Sequence, residues 1–168
     1  MPAWYGRDMT PALHGDVASL AFLLGTWRGE GNGGFPTIGP FAYREEIVFE
    51  HVGEPYLLYR QESWNLPDGA PLHFERGFLR PGEAAASLEL CLAHPLGLTE
   101  VAHGTLADTT IDLTATTAGI GHTASGVDVT GLARRYRVDG DTLTYELDME
   151  TSDTPMTRHL DATLQRVP

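Results

Sequence analysis

Apolar and polar residues alternate with a period of two over most of this chain, the pattern of strands that turn one face to a core. Phe41, Tyr43, Ile47 and Phe49 alternate with Ala42, Arg44, Glu46 and Glu50. Leu72, Phe74 and Phe78 alternate with His73, Glu75 and Gly77. Ala86, Leu88, Leu90 and Leu92 alternate with Ser87, Glu89, Cys91 and Ala93, and Leu143, Tyr145, Leu147 and Met149 with Thr142, Thr144, Glu146 and Asp148. Turn signals separate the runs at Pro67-Asp68-Gly69, Pro81-Gly82, Pro95-Leu96-Gly97 and Asp139-Gly140-Asp141. This spacing predicts about ten short antiparallel strands. One short helix is predicted ahead of them, from about Val17 to Leu24, where Val17, Leu20, Leu23 and Leu24 recur at helical spacing. Asp16 is placed to cap it, and Gly25 stands where a left-handed C-terminal cap is needed. The expected fold is all-β: a ten-stranded antiparallel, lipocalin-like β-barrel with a short N-terminal helix over one end, of a size that encloses one ligand.

Composition adds bounds rather than chemistry. A chain of 168 residues with 42% hydrophobic content suits one domain over 1–168 with a sizeable core. The segment Met1–Asp8 lacks the basic and apolar regions of a signal peptide, and no apolar run is long enough to span a bilayer. Cys91 is the single cysteine, which excludes an intramolecular disulfide and a multi-cysteine metal site. A cytoplasmic protein is expected. The net charge of −12 argues against nucleic acid and anionic membranes as partners, and it does not steer a small anion inward.

Three segments carry candidate chemistry. In Gly25-Thr26-Trp27-Arg28-Gly29-Glu30-Gly31 the indole is placed to plug a barrel floor, a structural role. Gly33-Gly34-Phe35-Pro36-Thr37-Ile38-Gly39 reads as a loop whose Thr37 hydroxyl reaches a ligand if the loop folds over a cavity mouth. Among the seven histidines, His14 and His122 fall in loop-like segments, His73 and His94 in or beside strands, and His103 in the strand of Thr99 and Val101. His159 lies in an alternating segment: Met156, Leu160, Ala162 and Leu164 share one face, and Thr157, His159, Asp161 and Thr163 the other. Taken alone, that pattern turns His159 to solvent, unless a partly polar cavity reverses the usual rule. The residues by themselves leave open a structural histidine, a non-catalytic carrier barrel for a fatty acid or other apolar ligand, and zinc bound by His73, His94 and His103, although no zinc motif is present.

From about Leu20 to Val167 the chain resembles the nitrobindins, small haem-binding β-barrels. The resemblance rests on Gly25-x-Trp27-x-Gly29-x-Gly31, Phe35-Pro36-Thr37-Ile38, Leu72-His73-x-Glu75-x-Gly77-Phe78-x-Arg80, Gly97-Leu98-Thr99-Glu100-Val101 and Met156-Thr157-x-His159-Leu160. It implies haem b as cofactor, with His159 as the axial ligand to iron. It also implies Thr37 near the haem and a basic contact from a late strand, placed at Arg135, with Arg134 exchanged for it by a register shift of one. His73 and His94 become candidates for the distal side. The implied activity is isomerisation of peroxynitrite to nitrate at ferric iron, with nitric oxide as a further small ligand and a second copy of the chain as a candidate partner.

Overall fold

The computed structural model describes residues 11–168, so the reading of Met1–Asp8 lies outside the described residues. A 3₁₀ helix over Gly15–Leu23 leads into eleven strands. These are β1 (Gly25–Phe35), β2 (Ile38–His51), β3 (Leu57–Asn65), β4 (Pro71–Pro81), β5 (Ser87–His94) and β6 (Leu98–Ala107). They continue as β7 (Thr110–Ala115), β8 (Ile120–His122), β9 (Gly131–Asp139), β10 (Thr142–Thr151) and β11 (Thr154–Arg166). Hydrogen bonding runs in the order β5-β4-β3-β2-β1-β11-β10-β9-β7-β6, and β6 pairs back to β5. The expected ten-stranded antiparallel barrel is therefore present and closed. The three-residue β8 is an addition that pairs with Leu98–Glu100 of β6. Closure leaves no free edge among the ten barrel strands. Among the described residues, no helix is long and apolar enough to cross a membrane.

The helix covers one barrel end as expected, with differences in detail. Its N-terminal cap is His14, whose Nδ1 accepts from the Asp16 N–H at 3.2 Å; Asp16 sits in the first turn instead of capping. Gly25 has the positive φ its position suggested, +119°, but as the first residue of β1. The helix buries Val17, Leu20 and Leu23 completely. Trp27, also fully buried, donates from its indole N–H to the Leu23 carbonyl at 2.7 Å. The Arg166 guanidinium lies 4.0 Å over the indole and donates to the Phe22 carbonyl at 2.9 Å. The last strand, the first strand and the helix are thereby tied together at the closed end.

Alternation in β2, β5 and β10 follows the apolar-in rule, with Tyr43, Ile47, Phe49, Leu88, Leu90, Leu92, Leu143 and Tyr145 all buried. In β4 the rule inverts. Glu75 is 2% exposed and Leu79 1%, whereas Leu72 and Phe78 are 44% and 47% exposed. The inner face of β4 is His73, Glu75, Gly77 and Leu79, because the barrel interior there holds charge.

Trp27→Ala should leave a cavity at the closed end and cost about 3–5 kcal/mol of stability. Denaturant unfolding followed by circular dichroism measures this. A variant as stable as the parent would contradict the structural role.

Candidate functional site: a half-polar cavity at the open end of the barrel

The open end of the barrel holds a cavity of about 560 Å³, within the range that encloses cofactor-sized ligands (about 300–1,000 Å³). Its wall is apolar, with Ile38, Phe41, Leu98, Leu132, Leu147 and Leu160 among the lining side chains. Its deeper part is polar and includes His73, Glu75, His94 and Arg134. His159 also lines it.

A bulge turns His159 inward. Along the β10–β11 ladder, Leu147 pairs with Leu160 and the next residue, Asp148, pairs with Arg158. His159 is the extra residue, so the alternation of β11 changes phase at this point. On one side of the bulge Leu160, Ala162 and Leu164 face the interior; on the other, Thr157 pairs with the cavity-lining Met149, while Arg158 stays outside and binds Asp148 at 2.5 Å. His159 Nδ1 lies 2.9 Å from the Gly34 carbonyl oxygen, which only accepts, so Nδ1 carries the proton. Nε2 is left as a lone pair. Burial pushes the imidazole below its ordinary pKa, against the Gly34 hydrogen bond, and keeps it neutral. Phe35 and Phe41 meet the ring edge-on, with centroids 5.8 Å and 6.3 Å away. Phe41 fits there because its β1 neighbour is glycine: a Cβ at Gly33 would collide with the Phe41 ring, and one at Gly31 with Tyr43.

The polar part is organised around Arg134, which is 2% exposed. Its guanidinium donates to Glu75 Oε1 and Oε2 at 2.7 and 3.0 Å, to Glu100 Oε1 and Oε2 at 3.0 and 2.7 Å, and to the Tyr145 hydroxyl at 3.0 Å. These contacts use all five guanidinium donors. Burial pushes the Glu75 carboxyl up, but the Arg134 charge and the His73 hydrogen bond outweigh it and hold the group well below the usual carboxylate range. Glu100 is held low by the same guanidinium against its own burial. Next to them, Glu45 accepts from Gln61 Nε2 at Oε1, while its Oε2 is buried with no partner. Burial and then the Glu75 charge push Glu45 up to about 8, so it is neutral at pH 7.

His73 and His94 both line the cavity. Arg134 is the cavity-facing arginine. Arg135 points outward, and its Nε bonds Asp112 at 2.6 Å with both side chains about half exposed (57% and 49%). Strand alternation decides between the two neighbours. Thr37 occupies the exposed β1–β2 turn beside Ile38, which lines the cavity. His103 is exposed on the outer face of β6, so the set His73, His94 and His103 does not assemble. Glu45, Glu100 and Gln61 were not singled out from sequence. A usable signal existed in Glu45, which falls in phase with the inward residues Tyr43 and Ile47.

Comparison with known proteins agrees with this geometry. The family model for the THAP4-like, heme-binding beta-barrel domain matches residues 16–166. A protein named peroxynitrite isomerase 1 from Mycolicibacterium paratuberculosis is 48% identical over 160 residues, covering 94% of this chain and 99% of that one. A peroxynitrite isomerase from Nocardia farcinica is 46% identical over 157 residues, covering 92% and 93%. The crystal structure of Rv2717c from M. tuberculosis superposes with a TM-score of 0.85 at 43% identity, covering 93% of this chain and 99% of that one.

The buried Glu45 makes stability depend on pH. Its folded pKa, about 8, lies above the reference value of 4.5. Its contribution is therefore fully present below pH about 4.5 and is lost as pH rises towards 8. Glu45→Gln should stabilise the protein at pH 7–8 by on the order of 2–3 kcal/mol and flatten the pH dependence across that window. Urea unfolding at pH 5, 6, 7 and 8 measures it. Parallel pH profiles for parent and variant would show that Glu45 is ionised in the fold.

Proposed function

We propose that this chain, which belongs to the THAP4-like haem-binding β-barrel domain family, uses haem b held by His159 to isomerise peroxynitrite to nitrate. The observation that carries the reading is the state of His159: Nδ1–H anchored on Gly34, Nε2 unprotonated, and the ring lining a largely apolar cavity. A neutral imidazole with one nitrogen fixed by a backbone carbonyl is the form that binds iron. An apolar carrier would need no such histidine. The curated relatives named for this activity add weight, as they match over nearly their whole length.

When bound, ferric haem supplies Lewis acidity that weakens the peroxynitrite O–O bond. The chain's own part is positioning and shielding. The bulge and the edge-on contacts of Phe35 and Phe41 fix the imidazole plane. The apolar wall of Leu98, Leu132, Leu147 and Leu160 excludes water from the reacting fragments. His73, half-buried at the cavity surface with Nε2 held by Glu75 at 3.3 Å, is the distal group able to meet a small anion. His94 lies behind it, 3.2 Å from the same nitrogen. Thr37 would meet the haem edge from the turn beside the cavity-lining Ile38. The same site would accept nitric oxide as a ligand. A cytoplasmic location fits the lone, half-buried Cys91. A homodimer would use the outward row Leu58, Phe78, Cys91 and Val101, adjacent across β3 to β6.

His159→Ala should abolish stoichiometric haem uptake, read as loss of the Soret band on titration, with unchanged far-ultraviolet circular dichroism. An unchanged Soret band would place the iron on another residue. The ferric holoprotein should accelerate peroxynitrite decay in stopped-flow measurements and protect added tyrosine from nitration. Decay no faster than with apoprotein, and undiminished nitration, would remove the isomerase reading and leave haem binding.

A further inference from the structure

Three donor atoms meet on the polar side of the cavity. His73 Nε2 lies 3.2 Å from His94 Nδ1 and 3.3 Å from Glu75 Oε2, and His94 Nδ1 lies 3.2 Å from the same Glu75 oxygen. The triangle is nearly equilateral. Zinc ligands at about 2.0–2.1 Å in tetrahedral geometry stand about 3.3–3.4 Å apart, so the triangle has the dimensions of one face of a zinc site.

The other nitrogen of His94, Nε2, faces Glu100 Oε2 at 3.2 Å, which leaves Nδ1 turned to His73 Nε2 and Glu75 Oε2. Glu75 and Glu100 share the single guanidinium of Arg134, so two carboxylates stand against one fixed positive charge, and a divalent cation complements the set.

The surroundings have the form of a supported metal site. A carboxylate, Glu100, holds the far nitrogen of a ligating histidine, which fixes its tautomer and ring plane. Arg134 and Tyr59 hold Glu75 by Oε1, at 2.7 and 2.8 Å, and Arg134 also donates to Oε2 at 3.0 Å, which fixes the carboxylate plane. The side chains of His94 and Glu75 are 5% and 2% exposed, while that of His73, at 25%, faces the cavity and leaves the fourth position open on that side.

We propose that His73, His94 and Glu75 form a second metal site in this cavity, distinct from His159, that binds one divalent cation of the zinc class with an open position towards the cavity. Two histidines and one carboxylate are the ligands of catalytic, open zinc sites. The site shares His73 with the distal side of the haem reading but uses neither His159 nor its Gly34 partner, so the two can be tested apart.

The test uses the full chain, stripped with chelator and without added haem. Calorimetric titration with Zn²⁺ should give one site per chain, and Co²⁺ should give the intense visible bands of four- or five-coordinate cobalt. His73→Ala and His94→Gln should each weaken Zn²⁺ binding by at least about 100-fold, and Glu100→Gln by about 10–100-fold. His159→Ala should leave the zinc affinity unchanged. The His73 side chain is partly exposed, at 25%, so its variant tests the site even if His94→Gln unfolds. No one-to-one binding by the folded parent, full affinity in His73→Ala, or loss of affinity in His159→Ala would each overturn the proposal. Haem titration on the same samples separates the two readings. Soret uptake without zinc uptake overturns this site alone, and zinc uptake without a Soret band overturns only the haem reading.

Discussion

The double fork between Arg134 and two carboxylates is the interaction on which the interior depends. A single guanidinium on β9 holds Glu75 of β4 and Glu100 of β6, each through both of its oxygens. Burying three charges is tolerable only because every donor of the arginine is used and the geometry is bidentate. Lysine could not replace it, since an ammonium lacks the planar fork. The fork fixes the inverted face of β4 and orients His73 and His94, while burial and then the Glu75 charge, against the pull of Arg134, keep the neighbouring Glu45 neutral. The cavity is apolar on its wall and polar in its deeper part for this reason.

The second constraint is steric and lies on the opposite side of the barrel. β1 carries glycine at inward positions Gly31 and Gly33, and aromatic rings from β2 fill the space a side chain would take. Phe41 reaches His159 as a result. The bulge in β11 then supplies the half-turn that brings the imidazole inside and its Nδ1 onto the backbone of β1. Small residues on one strand and an extra residue on another thus cooperate to present a single nitrogen.

The two halves of the cavity differ in what they are suited to hold. The His159 side offers one lone pair in apolar surroundings, and the His73 side offers several donors in a charged one. A ligand between them would meet a neutral base on one side and fixed dipoles and charges on the other. Such preorganisation costs no reorganisation when charge develops in a bound anion.

Period-two patterning and turn residues were enough to determine an all-β barrel with a helix over one end, because backbone alternation and turn chemistry are local properties. The motifs also pointed to His159, His73 and His94 before any coordinates. Facing was another matter. Alternation turned His159 to solvent and left the inner face of β4 undecided, and the resemblance placed the basic contact at Arg135. Tertiary structure decided which way each side chain points, with Arg134 rather than Arg135 turned to the cavity. A one-residue bulge is invisible in composition yet reverses every side chain beyond it. Which face of β4 is inside depends on Arg134 and Glu100, carried by strands distant in sequence. The partnership of Glu45 with Gln61 depends likewise on the β2–β3 register. Local sequence sets which strands form, but charge neutralisation and register between distant strands set which side chains the cavity receives.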